Sequence, residues 1–576
     1  MKRPSWTVAV GLLFALGLGI GLSGSAPPKG PSENHVLLSE MQQELNRAYT
    51  DLAKLDSSLY FISYGVRDQT TVVVVGSQGS LVASSRPSVR LANVVVRDGA
   101  PALDNTHGEN RFSGINFGLV ALTGDKGAIA RELWELTFNE YRRASETYLN
   151  VKTTTEVNAK EEDTSPDFSP EAPHVYTDST VLPRVPDQQA LESMVRRYSS
   201  WFSRYPLVYR SGVVLMADES RRYLVSTEGT RIVVPDSSVR LMIEAQTQGD
   251  DGMDLMRVES FQAASLEGLP AEREIAAVVE KMASDLKSLR VAPVAEPFAG
   301  PALLSGRAAA VFFHEVLGHR LEGHRQRGEQ EGQTFTKKLN QEVLPEFLTV
   351  VDDPTQSTLS GVNLSGHYSY DDEGVPASRV ELIQNGVLKN FLMSRMPIKG
   401  FERSNGHGRA QANLMPTGRQ ANLMVISSRT VKDRDLRQKL IDEIKKQGKS
   451  YGLYFEDIQG GFTLTQGGLP QSFLVLPVLV WKVFPDGRPD ELVRGVDIVG
   501  TPLAALNHIL LTGEKTEVFN GICGAESGNV PVSAAAPAML FSEIEVQKRT
   551  HLLNRPPILP PPGVEMPEPP HTEGQP

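Results

Sequence analysis

The run His314-Glu315-Val316-Leu317-Gly318-His319 brings two imidazoles and a carboxylate together in one short segment. Neutral imidazoles bind a transition metal, and a carboxylate beside them takes a proton from water, which is the logic of a zinc peptidase helix. The spacing departs from that helix by one residue. Positions i and i+4 differ by about 40° around a helix of 3.6 residues per turn, whereas i and i+5 differ by roughly 140°. His314 and His319 therefore diverge on a regular helix. They converge if the helix carries a π-type bulge or loosens, and Gly318, just before His319, is well placed for loosening. The same residues also suit an ordinary helix end, with His314 capping an apolar helix, His319 on its solvent face and Glu315 as plain helix polarity. Weighing toward chemistry, His314, His319 and His324 lie close together in a chain with only 11 histidines.

A catalytic zinc takes three protein ligands and keeps one open position. Two imidazoles leave one ligand to come from elsewhere. The chain has a single cysteine, Cys523, which excludes an intramolecular disulfide, a Cys-rich zinc finger and an Fe–S cluster. A lone cysteine is more often a small buried hydrophobe than a ligand, although Gly521 and Gly524 beside it permit close backbone approach to a metal. The remaining polar residues have plain readings first. His324 reads as polar surface near the site, with a fourth ligand, a supporting group or a transition-state donor as alternatives. Arg320 reads as a solvated arginine, with contact to a peptide carbonyl or carboxylate as the alternative. Asp371, Asp372 and Glu373 lack EF-hand spacing and read as a turn into a strand over Ser378 to Ile383. His407 is weak on its own.

These groups need a scaffold. Gly306 to Glu322 has a helical pattern, followed by mostly strand-like sequence to Val546, clearest at Phe473 to Val483, Val493 to Val499 and Ala538 to Val546. Pro477 places an edge or a bulge in the first of these. Upstream, Ala295-Glu-Pro-Phe-Ala-Gly-Pro punctuates a boundary. Before it, apolar periodicity predicts helices over His35 to Lys54, Ile129 to Tyr148, Gln188 to Phe202 and Ala271 to Leu289. Between them short strands are expected at 59–64, 71–75, 80–83, 89–96, 208–216, 222–226, 230–234 and 239–245. The expected fold class is α+β: an N-terminal domain over 31–294 with helices packed on antiparallel strands, and a strand-rich C-terminal domain over 298–548 carrying the metal-binding helix. A proline-dominated tail, 549–576, reads as extended.

The chain has 576 residues, a net charge of −11, 40% hydrophobic and 22% charged residues. That length needs at least two cores, and the composition excludes a disordered or collagen-like chain. The acidic balance argues against nucleic acid as a partner. Residues 1–26 run from Lys2 and Arg3 through an apolar stretch to Ser23-Gly-Ser-Ala26, the order of a signal peptide; an uncleaved N-terminal anchor is the alternative. The expected location is exported, periplasmic or extracellular, soluble or tethered by one helix.

His314-Glu-Val-Leu-Gly-His-Arg-Leu-Glu-Gly-His closely resembles the metal-binding helix of the TldD/PmbA family of metallopeptidases, and the likeness continues through Asp371-Asp-Glu-Gly-Val-Pro, Asn385-Gly-Val-Leu-Lys, Asn405-Gly-His-Gly-Arg and Gly521-Ile-Cys-Gly. The resemblance implies His314, His319 and Cys523 as ligands to Zn2+, Glu315 as general base, and His407 near the active cleft. It further implies a dimer, homomeric or with another family member, that encloses a narrow cavity and takes unfolded or extended peptides, with Gly452 to Leu464 as a candidate edge for strand addition. Arg320, His324 and Gly524-Ala-Glu-Ser-Gly depart from the family pattern. The expected function is a zinc-dependent peptidase. A non-catalytic binding or scaffold subunit of such a dimer is the alternative, and a purely structural zinc site is a third.

Overall fold

A computed structural model of the chain describes residues 31–157, 163–327, 332–465 and 472–549. The expected signal or anchor segment and the proline-rich tail beyond Arg549 lie outside the described residues. Among the described residues no helix is long and apolar enough to cross a membrane.

In the N-terminal half, the strands expected as short pieces are continuous. Leu59–Ser77, Arg210–Ser226 and Arg231–Gln248 are long antiparallel neighbours, extended by Ser88–Ala100 on one side and Asp254–Ala263 on the other. The polar residues that seemed to interrupt them are paired across the sheet instead: Asp68 lies opposite Arg90 and accepts its guanidinium at 2.8 Å with both side chains buried. Alternation then dictates which face is dry. Ile62, Tyr64 and Val66 share a core with helices Pro31–Leu55 and Lys126–Val157, while Val72 and Val74 share one with helices Gln188–Ser200 and Glu272–Val291. All five residues are of one parity along an unbroken register with Arg210–Ser226, so both helix pairs cover the same face. The opposite face, carrying Val214, Met216 and Met242, looks into a cavity shared with the C-terminal half.

In that half the strands Phe298–Leu304, Gly452–Thr463, Phe473–Val483, Val496–Gly500 and Gly528–Lys548 pair in sequence, and the last pairs back to the first, closing a ring. Pro477 sits where it costs no ladder bond. Along the strand Phe473–Val483, Val496–Gly500 pairs only at Phe473–Val475 and Glu491–Val493 only at Val480–Lys482, so Pro477 has no described strand on that side, and the register shifts opposite it mark a bulge. Helix Gly306–Val316 packs against this ring. Ser305 caps it, its Oγ accepting from Ala308 N at 3.1 Å, and Phe312 meets Phe473 and Phe541 edge to face. The helix buries Ala308 through Val316, and its Arg307, Val311, His314 and Glu315 line the cavity. Its C-terminal end reaches the cavity wall.

Candidate metal centre and its cavity

The helix ends at Val316, earlier than the sequence pattern to Glu322 suggested. Leu317 N still donates to Phe313 O at 3.0 Å, but Arg320 N donates to Leu317 O at 2.9 Å, so the chain tightens into 3-10 turns over Gly318–Leu321 and Gly323–Gln326. This is the loosening at Gly318, with no π-turn. The glycine is required for close approach: a Cβ there would collide with the Gln420 side chain. The break swings His319 back, and its ring lies 4.9 Å from that of His314, at 76° to it.

Cys523 completes the group from the strand Ile509–Ala525, its Sγ 3.4 Å from His319 Nε2. Ligand atoms of His314, His319 and Cys523 all lie within 4.8 Å of one another. On the far side of His319, Glu322 Oε1 is 3.3 Å from Nδ1, the carboxylate support that fixes a metal-binding imidazole and leaves its other nitrogen for the metal. Burial lowers the His319 pKa, but the Cys523 thiolate and the Glu322 carboxylate outweigh it and hold it well above the ordinary value. Burial raises the Cys523 thiol, and the two imidazoles outweigh that, leaving it well below its usual value. A thiolate with two imidazoles is a donor set that suits zinc better than magnesium or calcium.

Glu315 lies beside the ligands on the wall of a cavity of about 1140 Å³, together with His314, His319 and Cys523. Its side chain passes over Gly461 of the strand Gly452–Thr463. That strand pairs with Phe298–Leu304 only through Leu453–Phe455, so its later residues present an edge that pairs with no described strand. Ile509–Ala525 is similar: among the described residues, on the side away from Gly528–Lys548 it pairs only at Thr512 and Gly513. Both edges line the cavity.

The other sequence-derived candidates are buried behind that wall. Arg320 is 3% exposed, contrary to the solvated reading. Its Nη1 donates to the helix-end carbonyls of Glu315 and Val316 at 3.1 and 3.3 Å and to Thr463 Oγ1, and its Nη2 donates to Leu464 O and Ser472 O. It ties the ligand helix to the neighbouring hairpin and does not line the cavity. His324 is 1% exposed, which overturns its reading as surface. Its Nε2 is 3.5 Å from Glu526 Oε2, and Glu526 is also held by Arg325 through two contacts of 2.7 Å. Burial keeps the His324 pKa below the ordinary value. His407 also stays out of the cavity: its Nδ1 faces Asn405 O at 3.1 Å and its Nε2 lies 3.4 Å from Asp352 Oδ1. Asp371 does form the expected turn, accepting from the backbone of Glu373 and Val375 ahead of the strand Val380–Gln384.

Sequence reasoning missed Arg419 and Gln420. Gln420 Nε2 donates to His314 O at 3.3 Å, and Arg419 Nη2 lies 3.2 Å from Cys523 Sγ. Nothing in Gly418-Arg-Gln-Ala marks these residues, since a buried polar side chain and a solvated one look alike in sequence.

Residues 299–548 match the family described as PmbA/TldA metallopeptidase C-terminal domain. A metalloprotease TldD homolog from Buchnera aphidicola is 27% identical over 250 residues, which cover 43% of this chain and 47% of that protein. A zinc metalloprotease TldD homolog from Saccharolobus solfataricus is 25% identical over 327 residues, 56% of this chain and 67% of that one. The chain spans about half the length of the first of these relatives. In fold, TldE from Thermococcus kodakarensis superposes with a TM-score of 0.58 at 13% identity, covering 87% of this chain and 100% of that one.

Proposed function

We propose that this chain, which through residues 299–548 belongs to the PmbA/TldD metallopeptidase family, is a zinc-dependent peptidase acting on unfolded or extended peptides. The observation that carries the reading is the convergence of His314, His319 and Cys523 beside Glu315 on one cavity wall. His314, His319 and Cys523 would hold the ion. Zinc held there would polarise the scissile carbonyl and acidify the attacking water. Glu315 takes the proton of that water and returns it to the leaving amine. Its neighbours are arranged for this: Gly461 leaves room for the carboxylate, and Arg320 fixes the backbone that carries it.

Two strand edges whose cavity-facing stretches pair with no described strand suit an extended chain, which can add to a sheet edge by main-chain hydrogen bonds. A folded protein presents no such strand and would be a poor substrate. A dimer, homomeric or with another family member, and export directed by residues 1–26 belong to the same proposal, the first resting on family resemblance and the second on segment composition. The test is Glu315→Ala: zinc content persists while hydrolysis of an unfolded casein-type peptide disappears. Undiminished hydrolysis by that variant would overturn the mechanism. A chain that binds peptide without cleaving it would be the scaffold subunit instead.

A further inference from the structure

Arg419 is fully buried and lines no part of the cavity. Its Nη2 donates to Cys523 O at 2.9 Å and lies 3.2 Å from Cys523 Sγ. Its Nη1 donates to Ser527 Oγ at 2.9 Å and to Gly528 O at 3.0 Å, spanning the turn that follows the cysteine. Its Nε is 3.3 Å from Glu322 Oε1, the same oxygen that faces His319 Nδ1. The backbone is fixed as well, Arg419 N donating to His407 O at 3.0 Å. One guanidinium thus reaches one expected metal ligand directly and the carboxylate behind another.

We propose that Arg419 is a positioning residue that sets how much charge the Cys523 thiolate gives to the metal, an inference resting on the reading of Cys523 as a ligand. A guanidinium keeps its charge under all ordinary conditions, and a charge-assisted N–H to sulfur contact in a dry site draws electron density away from sulfur. The local balance shows why the cation matters. Arg325 reaches both Glu322 and Glu526. The cluster of Arg325, Arg419, Glu322, Glu526 and the Cys523 thiolate carries one net negative charge. Loss of Arg419 would make the site more negative by one charge whatever ion is bound, and a bound dication a poorer polarising centre. Ser527 and Gly528 hold the guanidinium against the sulfur, so the contact does not depend on substrate.

Cobalt(II) substitution reads this directly, because thiolate-to-cobalt charge transfer reports the energy of the sulfur lone pairs. In the full chain loaded with cobalt, Arg419→Met should move that band to longer wavelength at unchanged cobalt stoichiometry. Arg419→Lys, which keeps the charge but cannot reach both sulfur and Glu322, should lie between it and the unaltered protein. If Arg419→Met does not fold, the lysine variant decides alone. An unshifted band in a folded, fully loaded lysine variant, or in the methionine variant, overturns the proposal. Failure of the underlying reading looks different: the unaltered protein would show no thiolate band and would match Cys523→Ser.

Discussion

Gly461 lies directly beneath Glu315, and a Cβ at that position would fall 2.5 Å from Glu315 Cγ and 2.9 Å from Cδ. The expected general base is therefore positioned by the absence of a side chain on the neighbouring strand. Gly461→Ala should displace the carboxylate and lower peptide hydrolysis by about 100-fold, the scale of a 1 Å misplacement of a reacting group. Zinc content should not change, since the atoms nearest that position belong to Glu315 and Leu474 and not to the three expected ligands. Parallel steady-state kinetics and metal analysis check this; normal turnover by the alanine variant would show that Glu315 needs no such clearance.

Cys523→Ala should weaken zinc binding by more than about 100-fold, because loss of even an outer supporting group costs 10- to 100-fold. Competition with a chromogenic chelator measures it. Unchanged affinity would remove the cysteine from the ligand set.

Arg320 satisfies two carbonyls at the end of the ligand helix and two more on the adjoining hairpin. Arg320→Met should strip this donor from the two helix-end carbonyls and from Leu464 O, while Ser472 O keeps its bond from Leu464 N, and destabilise the chain by about 2–4 kcal/mol. Urea unfolding gives the value, and a loss under about 0.5 kcal/mol, the range of ordinary surface substitutions, would mean water replaces the guanidinium.

Asp371, buried, and Glu373, half-buried, share a turn near Arg395, with Glu373 Oε2 accepting from Arg395 N at 2.7 Å. Burial raises both carboxyl pKa values; the Glu373 charge adds to the rise at Asp371, while Arg395 only partly offsets it at Glu373. The folded state thus keeps protons that the unfolded chain releases near pH 4, so their contribution to stability falls as pH rises from about 4 toward neutrality and slightly beyond. Glu373→Gln should flatten that fall and be more stable than the unaltered chain at pH 8 by on the order of 1–3 kcal/mol. Denaturant midpoints across pH check the sign, and an unchanged slope would contradict it.

How much of this was legible in sequence depended on whether a residue's role is local. The helices over 31–55, 126–157, 188–200 and 272–291 follow from apolar periodicity, and all were expected. Strand lengths were not, because residues such as Asp68 look like breaks until Arg90 on the neighbouring strand is known. Likewise His314, His319 and Cys523 stand out by type and by their glycine neighbours, whereas the roles of Arg419, Gln420 and Arg320 are set by contacts over a hundred positions away along the chain. His324 reads as surface for the same reason, since its partners Glu526 and Phe112 lie far away along the chain.

The proposed reaction rests on one ion, held by His314, His319 and Cys523, working with Glu315 to cut peptides. It is tested most directly by the purified full chain: zinc per chain, and hydrolysis of an unfolded peptide before and after chelation and zinc readdition. One zinc per chain is expected, with hydrolysis lost on chelation and restored by the metal. Hydrolysis that survives complete removal of the metal would contradict it.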